Sequence, residues 1–152
     1  MSIETEAELA ALQEAGRIVR LVIAEMRAAV RAGVTTVELD RIGGEVMREH
    51  GARSAPRLVY GFPGENCISV NDEVVHGVPS NRLLADGDLV KLDVTVEKNG
   101  FMADACVTVP VGRVSAGPPR SPRPPSVRST RHCARCAPAA VRAMSAPRSR
   151  SS

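Results

Sequence analysis

A predicted β-hairpin between Gly87 and Gly112 constrains the fold of this chain more than any other segment. Apolar and β-branched residues fill both arms, and the run Glu97-Lys98-Asn99-Gly100 between them is typical of a tight turn. Each arm carries one acid among apolar neighbours, Asp93 in the first and Asp104 in the second. The length of the turn therefore decides how these two acids lie relative to each other.

Three arrangements of the acids follow from the turn. A turn centred between Lys98 and Asn99 places Asp93 directly opposite Asp104, and a two-residue Asn99-Gly100 turn makes them diagonal neighbours on the same face. An odd-numbered loop or a bulge would separate them onto opposite faces.

On one face the two carboxylates would repel each other. At about 5 Å and an effective dielectric constant of about 20 the repulsion is roughly 3 kcal/mol, and burial adds a desolvation cost. Either one acid holds a proton or a divalent cation lies between them. The less specific interpretation is that one Asp faces solvent or accepts a hydrogen bond from a loop amide.

Composition favours one domain with an aliphatic core, because the 152 residues include 2% aromatic residues and no Trp. No apolar run approaches the roughly 18 residues of a membrane span. The acidic N-terminus lacks the features of a signal peptide, so we expect a cytoplasmic protein with free thiols. The thiols belong to Cys67, Cys106, Cys133 and Cys136.

The net charge of +3 averages two unlike parts of the chain. Residues 1–112 hold all 17 acids and 11 bases, so 11 − 17 gives −6, whereas residues 113–152 hold nine Arg and no acid. The second part is rich in Ser, Pro and Ala and lacks Leu, Ile, Phe and Tyr, which predicts disorder. Its segment His132–Cys136 contains a Cys-x-x-Cys without the second pair that a structural zinc site needs.

Two helices are predicted before the hairpin. Apolar residues recur at helical spacing over residues 4–32, and Gly33 suits the position just past the helix end. Thr35 and Glu38 form a capping-box pattern for a second helix that ends near His50, with Gly51 following it. The apolar stripes are Leu9, Leu12, Val19, Val22, Met26 and Val30 in the first helix, and Leu39, Ile42, Val46 and Met47 in the second.

Extended structure is predicted from residue 55 onward. Leu58–Tyr60 is expected to form a short strand, and Cys67–Val70 a second strand that turns at Asn71-Asp72 into Glu73–Pro79. His76 lies within that run, between a strand and a Gly-Val-Pro turn, where it is either within reach of a ligand or a partly exposed loop residue.

The residues before the hairpin also leave two roles open. Cys67 is more simply interpreted as a small buried apolar residue. Phe62 and Tyr60 flank a Gly-Pro loop and either line a pocket or cap the sheet.

Several of these motifs together resemble the type I methionine aminopeptidases. They are Asp40 after Val37-Glu38-Leu39, the run Asn66–Pro79, Asp86-Gly87-Asp88, and Leu92–Val96 with Asp104 following. The resemblance runs from about residue 5 to about residue 115. It implies an α+β fold that is the N-terminal half of a pita-bread (creatinase/aminopeptidase) fold, with two helices and an antiparallel sheet.

The resemblance also implies a dinuclear metal site. Asp93 matches the bidentate ligand of one ion and Asp104 the ligand that bridges both, while His76 matches a catalytic residue that hydrogen-bonds near the scissile peptide. Phe62 and Cys67 match positions that line the pocket for the methionine side chain. Two divalent ions, Mn, Fe(II), Co or Zn, would lower the pKa of a shared water and polarise the scissile carbonyl.

The implied activity is removal of the N-terminal methionine from nascent proteins with a small second residue. The implied partners are nascent polypeptides, with the ribosome as a further candidate and no membrane. A prolyl aminopeptidase of the same fold is a less favoured alternative, because the Val-His-Gly-Val-Pro context around His76 favours methionine.

The sequence departs from this family after about residue 115. The family also needs two His and two Glu from its second half, yet no Asp or Glu follows Asp104 here. We therefore expect a half-domain over residues 1–115, a tail over 116–152 that is read out of frame, and negligible peptidase activity. A natural disordered tail is the alternative, and a non-catalytic module that binds RNA or the ribosome through its nine Arg is the rival function.

Overall fold

The computed structural model describes residues 3–113 of the chain. The helices and strands are, in order, α1 (Glu6–Ala29), α2 (Thr36–Glu49), β1 (Arg53–Ser54), α3 (Ala55–Tyr60), β2 (Cys67–Val70), β3 (Leu89–Lys98) and β4 (Phe101–Pro110). The predictions for residues 116–152, namely disorder, an out-of-frame origin and RNA binding, lie outside the described residues, as does the Cys-x-x-Cys segment.

Helix α1 is shorter than the predicted range of 4–32. It begins after Thr5, whose side chain accepts a hydrogen bond from the Glu8 amide in a complete capping box. It ends at Ala29, because Val30 already has extended backbone angles, and Gly33 with φ +84° therefore lies beyond the cap. No helix in residues 3–113 has both the length and the apolar character that a membrane span requires.

The buried face of α1 largely follows the predicted stripe. Leu9 is an exception, since 40% of it is exposed near the first turn. Ala15 and Ile18 complete the stripe and are fully buried. The buried residues of α1 are Leu12, Ala15, Ile18, Val19, Val22 and Met26.

Helix α2 confirms the predicted capping box at Thr35 and ends one residue before His50. Glycine at position 43 in this helix allows close packing. A Cβ atom at Gly43 would lie 2.5 Å from Asn66 Nδ2 and 2.8 Å from the Met26 sulfur. Glycine is therefore required there for α2 to pack closely against both neighbours.

The strand predicted at Leu58–Tyr60 is wrong, because these residues form the second half of α3. The Ser54 side chain accepts a hydrogen bond from the Arg57 amide, and Pro56 lies in the first turn, where its missing N–H costs nothing. Gly61 ends the helix with φ +69°. These local helix signals outweigh the β propensity of the Leu-Val-Tyr run.

Residues 73–79 are also not a strand. The segment is a loop that returns to β2 through a hydrogen bond from the Ile68 amide to the Gly77 carbonyl, 2.9 Å long. Asn71, with φ +57°, starts the loop and is fixed to β3 by reciprocal hydrogen bonds with Leu89.

Strand β3 is the centre of an antiparallel sheet. Strand β4 pairs along one of its edges, while β1 and β2 pair with different parts of the other edge. One face of the sheet packs under α1 and is entirely aliphatic along β3. The β3 residues of that face are Val90, Leu92, Val94 and Val96, each fully buried.

Candidate metal centre

The turn of the β3–β4 hairpin has two residues. Lys98 pairs with Phe101, and both Asn99 (φ +52°) and Gly100 (φ +87°) adopt left-handed backbone angles, as a tight hairpin turn with right-handed twist requires. In this register Asp93 pairs with Cys106 and Asp104 pairs with Thr95. The two acids are therefore diagonal neighbours on one face, which is the second of the three arrangements that the sequence allowed.

The face that carries the acids is the one turned away from α1. Strand alternation places Asp93 between Cys67 of β2 and Cys106 of β4, which are its direct partners on either side. Cys67 is buried and Cys106 is exposed, and both are free thiols. We refer to this polar side of the sheet as the acidic face.

The two carboxylates of the acidic face influence each other. The pKa of Asp93 is raised first by burial and then by repulsion from Asp104. A hydrogen bond that a protonated Asp93 donates to Asp104 adds to the rise, whereas the charges of His76 and Lys91 oppose it. Thr95 Oγ1 donates to Asp104 Oδ1 at 2.8 Å, which fixes the orientation of that carboxylate. A proton or a cation on the pair would each relieve the repulsion.

Cys67 and two aromatic rings lie beside Asp93. Burial, followed by the charge of Asp93, raises the pKa of the Cys67 thiol to about 11, so this thiol stays protonated near neutral pH. Tyr60 is close enough to interact with that thiol, and its ring meets the buried ring of Phe62 edge to face with centroids 6.3 Å apart. These three side chains form a neutral, mostly apolar wall next to the acids.

His76 lies in a tightly held loop, near enough to Asp93 for a charge interaction between them. Its φ of +55° is unusual for a residue other than glycine, and such angles concentrate at functional sites. The next residue, Gly77, donates its amide to Ser69 Oγ at 3.1 Å, and a Cβ atom there would lie 2.2 Å from the Ile68 carbonyl oxygen. Lys91 also donates to the Val74 carbonyl and so holds the loop from the acidic face.

The structure therefore brings together all five predicted site residues, which are Phe62, Cys67, His76, Asp93 and Asp104. It adds Lys91 and Thr95, which the sequence reasoning did not place in the site, and it puts Tyr60, for which pocket lining was left open, in the wall beside Asp93. Strand parity was the available signal for Lys91 and Thr95, since both lie two residues from Asp93 and hence on its face.

The donor set fits part of a divalent metal centre. Two carboxylates on one face, one of them with a raised pKa, are hard oxygen donors whose repulsion a cation converts into attraction. Within residues 3–113, no group of three or more His, Cys, Asp and Glu side chains is arranged to hold a metal ion. The acidic face thus offers two carboxylate side chains to a cation.

Comparison with known proteins agrees with this fold. Residues 10–146 match the model of metallopeptidase family M24, and the chain belongs to that family. Within it, the chain is similar to the methionine aminopeptidase of Staphylococcus epidermidis, with 48% identity over 113 residues that make up 74% of this chain and 45% of that protein.

Solved structures of methionine aminopeptidases also resemble this chain. The methionine aminopeptidase of Rickettsia prowazekii has a TM-score of 0.72 and 32% identity, over 76% of this chain and 46% of that one. The methionine aminopeptidase of Thermotoga maritima has a TM-score of 0.73 and 30% identity, over 76% of this chain and 47% of that one.

The chain thus spans about half the length of the relatives that it matches. The predicted family and the predicted half of a pita-bread α+β fold are confirmed. The roles of the individual site residues and the boundary at residue 115 stay predictions.

Proposed function

We propose that the acidic face is one half of the dinuclear metal centre of a methionine aminopeptidase. The substrates would be nascent polypeptides with an N-terminal methionine and a small second residue. The observation that supports this most directly is the diagonal placement of Asp93 and Asp104 on one face, with the pKa of Asp93 raised by burial and by its neighbour. Membership of a metallopeptidase family gives such a pair its most economical explanation.

Asp93 and Asp104 would hold the metal ions in this proposal. A bound pair of Mn, Fe, Co or Zn ions would lower the pKa of a shared water and polarise the scissile carbonyl. Thr95 contributes by orienting the Asp104 carboxylate through its 2.8 Å hydrogen bond. A carboxylate that is already oriented loses less conformational entropy when it becomes a ligand.

The neighbouring residues would bind the substrate. His76 is placed by its loop to hydrogen-bond the peptide next to the acids, while Phe62 and Cys67 would contact the methionine side chain. A thioether packs favourably against aromatic rings, and a thiol that stays neutral adds no charge to the pocket. Tyr60 extends the same wall toward solvent, since 59% of it is exposed.

We further propose that this chain turns over substrate poorly. Residues 105–152 contain no Asp or Glu, so they offer no carboxylate to complete a dinuclear site. Release of methionine from a Met-Ala-Ser peptide in the presence of Mn or Co should be negligible. A rate comparable to that of a full-length relative would contradict this part of the proposal.

Metal binding tests the site independently of turnover. Electron paramagnetic resonance measures free Mn²⁺ as it is titrated with the full chain, and Mn²⁺ prefers oxygen ligands to the thiols elsewhere in the sequence. We expect Asp93→Asn and Asp104→Asn each to abolish the specific binding, and Asp72→Asn, an exposed loop acid, to leave it unchanged. Equal Mn²⁺ binding by all four proteins would refute the proposed site.

A further inference from the structure

A second cleft lies between the C-terminal half of α2, β1 and α3, and it shares no residue with the acidic face. Its volume is about 360 Å³, within the usual range for small-molecule sites. Its walls combine apolar side chains with three arginines. The lining residues that matter here are Met47, Ala52 and Leu58 on the apolar part, and Arg48, Arg53 and Arg57 on the charged part.

Arg53 is held in place by a buried acid. Its Nε and one terminal nitrogen contact Glu97 Oε2 at 2.8 and 2.7 Å. Glu97 is only 3% exposed, and its other oxygen accepts a hydrogen bond from the Gly100 amide. The Arg53 guanidinium is therefore fixed at the sheet edge, while 64% of its side chain stays exposed.

The other two arginines share one acid. Arg57 lies 2.9 Å and Arg48 lies 3.7 Å from the same oxygen of Glu65. Glu65 reaches this position because α2 has glycine beneath it, and a Cβ atom at Gly44 would lie 2.8 Å from Glu65 Cγ. The close packing of Glu65 on Gly44 thus orients two guanidiniums toward one cleft.

The charge of this cleft is not balanced by its own acids. Three guanidiniums face two carboxylates, and the side chains of Arg48 and Arg57 are 60% and 59% exposed. Because existing ion pairs already restrict the guanidiniums, an incoming anion would pay less of the entropy cost of ordering them. The cleft therefore carries an excess positive charge that an anion can balance.

We infer that this cleft binds a nucleotide. Guanidinium groups bind phosphate with two parallel hydrogen bonds and stack on planar rings. On the apolar part of the wall Leu58 is 45% exposed and offers a base an apolar contact, while Met47 and Ala52 lie buried behind it. The volume admits a compact ligand that carries both a planar body and a multiply charged anion. A free nucleoside phosphate and the terminal nucleotide of an RNA present this same chemistry.

Titration of the full chain with adenosine monophosphate tests the inference. The readouts are calorimetry and the arginine Nε–Hε resonances in NMR spectra. The variants are Arg48→Gln and Arg57→Gln, which leave the buried Glu97 paired with Arg53. Arg41→Gln is the matched control, because Arg41 lies on α2 outside the cleft and pairs with Glu45 on the exposed surface.

We expect submillimolar binding that weakens roughly tenfold in Arg48→Gln and in Arg57→Gln but is unchanged in Arg41→Gln. Other arginines of the chain are common to all variants and cancel in this comparison. Adenosine and inorganic phosphate alone should each bind more weakly than the nucleotide. A short oligoribonucleotide that binds more tightly and shifts the same resonances would identify RNA as the source of the nucleotide.

Three results would overturn the inference. The first is no binding at millimolar nucleotide, and the second is equal loss of binding in Arg41→Gln. The third is inorganic phosphate that binds as tightly as the nucleotide, because the apolar wall would then contribute nothing. Circular dichroism of each variant shows whether any loss reflects unfolding.

Discussion

Replacement of Asp93 by Asn is expected to stabilise the metal-free chain at neutral pH. Diagonal neighbours across an antiparallel pair lie about 7 Å apart, and at an effective dielectric constant of about 20 two such charges repel by roughly 2 kcal/mol. Asp104 is exposed, so solvent screening reduces the gain to about 1 kcal/mol. Asn keeps the size of the side chain and removes only the charge.

The gain should depend on pH in one direction. The pKa of Asp93 is raised in the folded chain, so the ionised carboxylate destabilises the fold relative to the unfolded chain. This cost is fully present above the raised pKa and disappears as pH falls below the unfolded value of about 3.9. The stability of wild type and Asp93→Asn should therefore converge in acid.

Urea unfolding followed by circular dichroism is the appropriate measurement, because the chain has no Trp. A gain of about 1 kcal/mol corresponds to a rise in melting temperature of roughly 4 °C for a folded unit of about 110 residues. Asp72→Asn, the control, should change stability little. Saturating Mn²⁺ should reverse the order, because only the wild type gains from bound metal. A destabilised Asp93→Asn protein at neutral pH, or a gain that persists in strong acid, would refute the reasoning.

Three further predictions concern the scaffold and use the same unfolding measurement. Gly77→Ala should destabilise the fold by about 2 kcal/mol or more, because its Cβ atom would lie 2.2 Å from the Ile68 carbonyl oxygen. Gly16→Ala, which has open space around it in α1, should instead stabilise the fold by up to about 1 kcal/mol. Similar effects of the two substitutions would contradict this prediction. Thr35→Ala should lower the free energy of unfolding by about 1 kcal/mol, because it removes the α2 cap. An unchanged free energy of unfolding would mean that the capping box does not stabilise the fold. Asp40→Asn should lower the free energy of unfolding by about 2 kcal/mol, because the buried carboxylate accepts three hydrogen bonds from the loop after α3. An unchanged free energy of unfolding would show that these hydrogen bonds are replaceable.

The parts of the fold that the sequence predicted well are those with strong local signals. The capping box of Thr35 and Glu38 is specified by a few neighbouring residues. The hairpin turn was predicted within Glu97–Gly100, but its length was left open until the pairing of Lys98 with Phe101 gave two residues. The strand predicted at Leu58–Tyr60 was wrong, because Ser54 and Pro56 start a helix that the β-rich composition concealed.

The segment of residues 73–79 shows a different limit. Its Val-Val run is typical of a strand, but Val74 is 76% exposed and Val75 is 57% exposed. Hydrogen bonds with Ile68, Ser69 and Lys91 fix the loop instead. Such contacts between distant residues have no signature in the local sequence, so the orientation of His76 could not be predicted from it.

The relation between the two acids is fixed by the opposite face of the sheet. Because strand residues alternate in direction, a slip of one residue in β3 would turn Asp93 toward α1 and expose Leu92 and Val94 on the acidic face. Burial of a carboxylate without partners costs several kcal/mol, and exposure of two aliphatic side chains adds roughly 1.5–3 kcal/mol each. The repulsion between Asp93 and Asp104, roughly 2 kcal/mol before screening, is too small to drive that slip. The aliphatic core therefore holds two like charges together on the acidic face, and a bound cation can convert this enforced repulsion into binding free energy.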